Sequence, residues 1–332
     1  MDDERRAAAP KGDEARLKDH CVPFFEGDRS RRHRRVGVSR LRAVALWSSW
    51  RHRSALRTSK TFVQFAGWPR SGHSLVGALI DAHPQAAVSH ELDAMGLFRK
   101  GVPADRLPAL CLANAAAFTA AGRYWNGFRY AVPNASHGPM GDLRVVGDKK
   151  GDWATRWSAS DPTLVPRMAS EMHLDSRWIL VTRHPSDNIA TMSLRQGRIY
   201  DQLRISGGSD LGAAIRDAQA DGRIAAGAED SMIADYGALA ASVAVMKRSV
   251  PPGNWFEMTY ETFTAHPQEG LERLAAFLGL DPDARWRDRS ATLVVPSRND
   301  SRHRVSWRDD QRARVAEIIA RHDFLSAYSD GA

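Results

Sequence analysis

From Thr61 onward, short unbroken apolar runs alternate with longer stretches whose apolar positions recur at helical spacing. The short runs fall at 61–66, 86–89, 143–146, 178–182 and 255–258, and each ends in a polar or glycine-bearing turn. The helical stretches fall at 74–82, 107–121, 163–172, 187–194 and 233–248. Strands that are apolar on both faces and separated by helices predict a parallel sheet covered on both sides. The expected fold class is therefore α/β, with a parallel sheet flanked by helices on both faces, which the loop after its first strand (below) makes P-loop-like. Ligands of such sheets sit at the carboxyl ends of the strands, so the turns there are where chemistry is predicted.

The first sixty residues follow another pattern. Residues 1–35 are polar and charged, and from 38 to 56 Leu41, Val44, Leu46, Trp47 and Trp50 alternate with Arg40, Arg42, Arg51, Arg53 and Arg57. That spacing predicts a basic, partly amphipathic helix. One reading packs its Trp and Leu side chains on the body and leaves the arginines to water; the other takes it as a contact for an anionic membrane surface or polyanion. Two regions are expected: 1–60, a basic N-terminal extension, and 61–330, one large α/β domain.

Charge sharpens this division. The net charge is +8, yet 29–60 holds eleven Lys or Arg and no Asp or Glu, leaving a net −3 for the remainder. Basicity confined to one stretch argues against a nucleic-acid-binding body. Cys21 and Cys111 are too few for a disulfide framework, and no run of eighteen apolar residues occurs. The opening residues Met1-Asp2-Asp3-Glu4-Arg5-Arg6 lack the apolar segment of a secretory signal. A cytoplasmic protein is expected, membrane-peripheral if the basic helix meets lipid.

The first apolar run leads into Gly67-Trp68-Pro69-Arg70-Ser71-Gly72-His73-Ser74 and then a helix. Free N–H groups and the positive dipole end of a helix, reached through a glycine-bounded loop with hydroxyls, make an anion cradle. The spacing copies a P-loop, but His73 stands at the lysine position and the cation has moved to Arg70. The run 178–182 ends in Arg183-His184-Pro185, a second strand-end anion site.

The segment Pro69-Arg70-Ser71-Gly72-His73-Ser74 resembles the 5′-phosphosulfate loop of sulfotransferases that use 3′-phosphoadenosine 5′-phosphosulfate (PAPS), where His73 replaces the common Thr. In that family a strand-end Arg and a hydroxyl eight residues later bind the donor's 3′-phosphate, which implies Arg183 and Thr191 here. The resemblance covers about residues 61 to 325. It implies PAPS as co-substrate, no metal, and Gly67, Pro69, Arg70, Ser71, Gly72, His73, Ser74, Arg183, Thr191 and Tyr260 as donor-binding positions. Tyr260 enters through Glu257-Met258-Thr259-Tyr260-Glu261, which is similar to the family's Tyr-Glu strand end.

Sulfuryl transfer by in-line displacement needs a base for the acceptor hydroxyl and cations around the sulfate. Asp81-Ala82-His83-Pro84 with an acidic residue soon after resembles the tyrosylprotein and carbohydrate branch, which implies Glu91 as base; His90 is the alternative. Lys149, from Asp148-Lys149-Lys150, and Arg70 are the candidate cations. The basic segment 297–304 lies where the family has a donor-covering loop. The expected partner is an acceptor hydroxyl on a carbohydrate, lipid, small molecule or tyrosine. Two other functions fit parts of the pattern. A P-loop kinase shares the loop spacing, but has His73 against it and no obvious acidic strand end for Mg²⁺. A non-catalytic scaffold would use only the basic helix, on a membrane or polyanion.

Overall fold

Strand β1 (Thr61–Ala66) is buried at every position, which fits a run with only one fully polar side chain, Gln64. In the computed structural model, residues 38–125, 128–135, 137–139, 141–197, 226–294 and 301–331 are described, with 203, 214, 217, 218 and 220–223. Ahead of β1 stand helices α1 (Val38–Arg51) and α2 (Arg53–Leu56). After it come α3 (His73–Asp81), β2 (Ala86–Ser89), α4 (Ala94–Arg99), α5 (Leu107–Ala120), the short strands β3 (Tyr124–Trp125) and β4 (Phe128–Arg129), and β5 (Val145–Asp148). The chain continues through α6 (Gly151–Ser160), α7 (Leu164–Glu171), β6 (Asp175–Thr182) and α8 (Pro185–Gln196). The last part holds α9 (Asp230–Ser249), β7 (Trp255–Thr259), α10 (Tyr260–Ala265), α11 (Pro267–Leu278), α12 (Ala284–Leu293) and α13 (Asp309–Ala320).

Five strands form one parallel sheet in the order β2-β5-β1-β6-β7. Side chains alternate between its faces. Val63, Phe65, Ile179 and Val181 pack one way with α3 and α11, and Phe62, Trp178 and Leu180 the other way with α5, α6 and α9. Full burial of each such side chain stabilises the fold by about 2–3 kcal/mol. The expected parallel sheet with helices on both faces is the fold observed.

The order places the site. From β1 the chain crosses to β2 on one side, with β5 filling the gap, and later to β6 and β7 on the other. The carboxyl end of β1 is thus the point where strand order reverses, the place where such sheets open a crevice for ligands.

Two sequence expectations shift. The run 143–146 becomes a strand at Val145–Asp148, because Gly147 belongs inside it. A Cβ on Gly147 would lie 2.0 Å from the Val63 carbonyl oxygen, so glycine here permits close approach of β1 and does not end the strand. An acidic residue therefore does end a strand: Asp148, buried on β5.

The second correction concerns α1. Three of its large apolar side chains do not pack on the body: Leu46, Trp47 and Trp50 are 58%, 55% and 74% exposed. The small residues Ala45 and Ser48 are the buried ones, where α1 lies on α5. Among the described residues no helix is long and apolar enough to cross a membrane.

Candidate active site

The loop after β1 is fixed from several sides. Trp68 is fully buried, stacks on Tyr236 at 4.6 Å between ring centroids and donates Nε1–H to the Tyr236 carbonyl. Ser71 Oγ donates to the Trp68 carbonyl, and Asn188 of α8 donates Nδ2–H to the Pro69 carbonyl. Gly67 N–H donates to Thr155 Oγ1 at 2.8 Å. Arg70 has φ 69°, a left-handed conformation that costs a non-glycine residue about 1–3 kcal/mol and is kept where the surroundings over-determine it. Gly72 has φ 108°, and a Cβ there would lie 2.4 Å from the Tyr260 ring, so Tyr260 closes over the loop just before α3 begins. Among the described residues the Arg70 guanidinium has no ion-pair partner.

His73 points away from this cradle. Its ring is buried edge-on against Phe65, 5.5 Å between centroids, and lies over Gly151, where a Cβ would meet Nδ1 at 2.7 Å. Burial first, then the Lys149 charge, lowers its pKa to about 4, so the ring is neutral. What His73 offers an anion is its backbone N–H at the helix start. The imidazole does not stand in for the P-loop lysine.

On one side of the loop, β6 leads into Arg183, which is buried at 6% exposure. Its Nη1 donates to Thr191 Oγ1 at 3.2 Å and to the Arg70 carbonyl at 3.4 Å, and its Nη2 donates to Ser301 Oγ at 3.1 Å. Nε is buried without a partner. The eight-residue interval read from the sequence is thus a direct contact, since Thr191 lies on the turn of α8 that faces back to the strand end. No carboxylate among the described residues pairs with Arg183. The nearby acids are committed elsewhere. Asp187 takes the Arg302 guanidinium at 3.1 Å and the Arg302 N–H at 2.7 Å. Glu261 accepts from the His184 N–H and the Tyr328 hydroxyl.

On the other side, β5 delivers Asp148, Lys149 and Lys150. Asp148 binds the turn after β2, accepting from Ser89 Oγ at 2.7 Å, the Leu92 N–H at 3.2 Å and the Ala94 N–H at 2.8 Å. That turn holds Glu91 and Asp93, both with φ 63°. The Glu91 carboxylate bridges Lys149 and Lys150, and Lys149 also donates to Ser74 Oγ at 2.9 Å. The Lys149 stem runs over Gly77, where a Cβ would clash with its Cγ at 2.7 Å. Burial alone would raise the Glu91 pKa, but Lys149 and Lys150 outweigh it and hold the carboxyl well below the usual range. Burial lowers the Lys149 pKa, with Glu91 opposing.

His90 lies beside Glu91, stacked on Phe118 at 4.2 Å, with the Trp125 ring edge at 5.4 Å and Tyr130 at 5.5 Å. Burial, then Lys149, puts its pKa well below the usual histidine value, so it is a neutral imidazole. Asp81 and His83, part of the segment that pointed to Glu91, are structural. Asp81 accepts from the Val88 N–H and from Arg123, and His83 bonds the Asp281 carbonyl.

The fold thus gathers Arg70, Ser71, Gly72, Ser74, Tyr260, Arg183 and Thr191 around one loop, with Glu91, His90 and Lys149 beside it. Of the basic segment 297–304, only 301–304 lies within the described residues; its Arg302 is tied to Asp187, and Ser301 reaches Arg183. Sequence reasoning missed Lys150 as a second Glu91 partner and Ser301 as an Arg183 partner. Both had a signal: Lys150 stands beside Lys149, and Ser301 lies in the segment 297–304. Trp153 and Trp157 are core residues.

No family model matches the sequence, and no curated protein matches it. Several solved structures share the course of the chain loosely. The sulfotransferase domain of the Synechococcus PCC 7002 olefin synthase is 12% identical, over 78% of this chain and 92% of that one, with a TM-score of 0.42. A mouse sulfotransferase complexed with PAP is 14% identical, over 83% and 90%, with a TM-score of 0.40. A sulfotransferase from Alicyclobacillus acidocaldarius is 17% identical, over 81% and 95%, with a TM-score of 0.40.

Proposed function

We propose that the chain is a sulfotransferase that moves a sulfuryl group from PAPS to an acceptor hydroxyl. The observation that carries this is the buried Arg183, held by two hydroxyls and a carbonyl, with no carboxylate partner among the described residues and with Nε unsatisfied. A buried guanidinium without a counter-charge is costly, and a bound anion removes that cost. The loop at 67–74 offers a second anion site on the neighbouring strand end. A ligand with a phosphate at each end fits two such sites, whereas the phosphates of ATP form one chain. His73 supports the same choice against a kinase: its neutral, inward ring leaves the β/γ-phosphate cation of a P-loop unfilled. The acidic strand end a kinase needs for Mg²⁺ exists in Asp148, but three donors within the protein occupy its carboxylate.

In this assignment Arg183, Thr191 and Ser301 hold the donor's 3′-phosphate. The loop amides, Ser74 and Arg70 hold the 5′-phosphosulfate, with the Tyr260 ring against the loop. The acceptor oxygen attacks sulfur as the bond from sulfur to the 5′-phosphate oxygen breaks, and 3′-phosphoadenosine 5′-phosphate (PAP) leaves. In this reading the donor's sulfate competes for Lys149 and Lys150, which frees Glu91 to take the acceptor's proton, and Lys149, which reaches both Glu91 and Ser74, stabilises the charge developing on the leaving oxygen. His90 is the alternative base, since a neutral imidazole can also accept a proton. The acceptor is a hydroxyl of unassigned class, and the donor side requires no metal. The test is the selectivity of Arg183→Ala: binding of PAP weakens at least about tenfold more than binding of AMP, which lacks the 3′-phosphate. Equal losses for both ligands would remove Arg183 from the 3′-phosphate site.

A further inference from the structure

Helix α1 is turned the wrong way round for a helix that only packs on its own protein. Ala43, Leu46, Trp47 and Trp50 recur at i, i+3, i+4 and i+7 and face outward, while the inward face holds Val44, Ala45 and Ser48. Around the outward stripe stand exposed cations. Arg42, Arg51 and Arg53 are all exposed, and the Arg51 guanidinium lies over the Trp47 ring at 5.3 Å. Arg42 also anchors the helix, donating to the Gly101 carbonyl at 2.6 Å.

We propose that this stripe docks the protein on an anionic lipid surface, with α1 lying in the plane of the interface. An apolar ridge bearing tryptophans and flanked by arginines matches such a surface in both respects. Trp and Leu enter the headgroup boundary, and the arginines meet lipid phosphate and carboxylate groups. The helix and its flanking chain carry charge of one sign, because 29–60 contains eleven basic residues and no acidic one. A second copy of the chain fits less well. A two-fold contact sets the patch against itself and brings the arginines of both copies together. A nucleic-acid duplex would satisfy the arginines but offers no apolar phase for Leu46, Trp47 and Trp50.

The test uses the full chain, sedimented with phosphatidylcholine vesicles that carry phosphatidylserine and with vesicles of phosphatidylcholine alone. Binding to the anionic vesicles is expected, weakened about tenfold or more by Trp47→Ala with Trp50→Ala, and by a similar factor with Arg51→Gln and Arg53→Gln. Brominated acyl chains quench tryptophan fluorescence in the bound parent chain, and most of that quenching disappears in the tryptophan variant. The substituted side chains are exposed, so thermal unfolding midpoints stay close to that of the parent and separate lost docking from lost folding. Three results would overturn the proposal: no sedimentation with anionic vesicles, equal binding by the parent and the tryptophan variant, or tighter binding of duplex DNA than of the vesicles. A dimer that dissociates in the tryptophan variant, without vesicle binding, would assign the stripe to a second copy instead.

Discussion

Arg183 and Arg123 are both buried, but only one is neutralised. Arg123 meets Asp81 at 2.6 Å, while Arg183 meets hydroxyls and a carbonyl. The first pair needs nothing further, and the second leaves a charge for a ligand to balance. Glu91 shows the opposite arrangement, one carboxylate between two lysines. Glu91→Gln removes the proton acceptor and leaves the anion-binding groups in place. Turnover of PAPS with a productive acceptor is predicted to fall about 10²-fold or more, while PAP binding is kept or tightened because both lysines lose their internal partner. Unchanged turnover in that variant would move the base to His90. At this scale the sequence was legible where spacing encodes contact, as with Arg183 and Thr191 one strand-to-helix turn apart. It named a segment but not the contacting residue where a contact spans the chain, as between Arg183 and Ser301, 118 residues away.

The turn between β2 and α4 is the element on which catalysis would depend. Asp93 caps α4, accepting from the Gly96 N–H at 3.1 Å, and takes the Trp157 Nε1–H. Burial, then the neighbouring Asp148, raises its pKa to about 7. The folded state therefore holds this proton more tightly than the unfolded chain. The resulting stabilisation is complete below about pH 4 and is lost as pH rises towards about 7. Asp93→Asn keeps an acceptor for both donors and does not ionise. Its stability relative to the parent is predicted to improve by on the order of 3 kcal/mol between mildly acidic and neutral-to-basic pH, read from denaturant unfolding. A difference that stays constant with pH would mean Asp93 carries no shifted proton.

Element boundaries followed hydrophobic patterning where the strand itself supplied the signal. Strands β1 and β2 lie at the residues read from the pattern. The pattern failed at Gly147, because a glycine that admits a neighbouring strand looks the same in sequence as one that ends a strand. For α1 the periodicity gave a helix but could not say which face turns outward, and the more ordinary orientation was the wrong one.

Over the whole molecule, the strand order brings the two proposed anion sites together. The loop after β1 lies at the reversal of the sheet, with the lysines of β5 on one side and Arg183 of β6 on the other. The alternation of apolar runs and helices pointed to this architecture, and a resemblance whose two donor motifs are short segments pointed to the site within it. Ser301, which completes the contacts of Arg183, comes from a segment whose place is set by tertiary packing. The central claim is that this crevice takes a nucleotide with a phosphate at each end. Calorimetric titration of the full chain with PAP, alongside ATP with Mg²⁺, tests it most directly. Saturable PAP binding with little or no heat from ATP is the predicted result. Preference for ATP, or no binding of either ligand by folded protein, would contradict it.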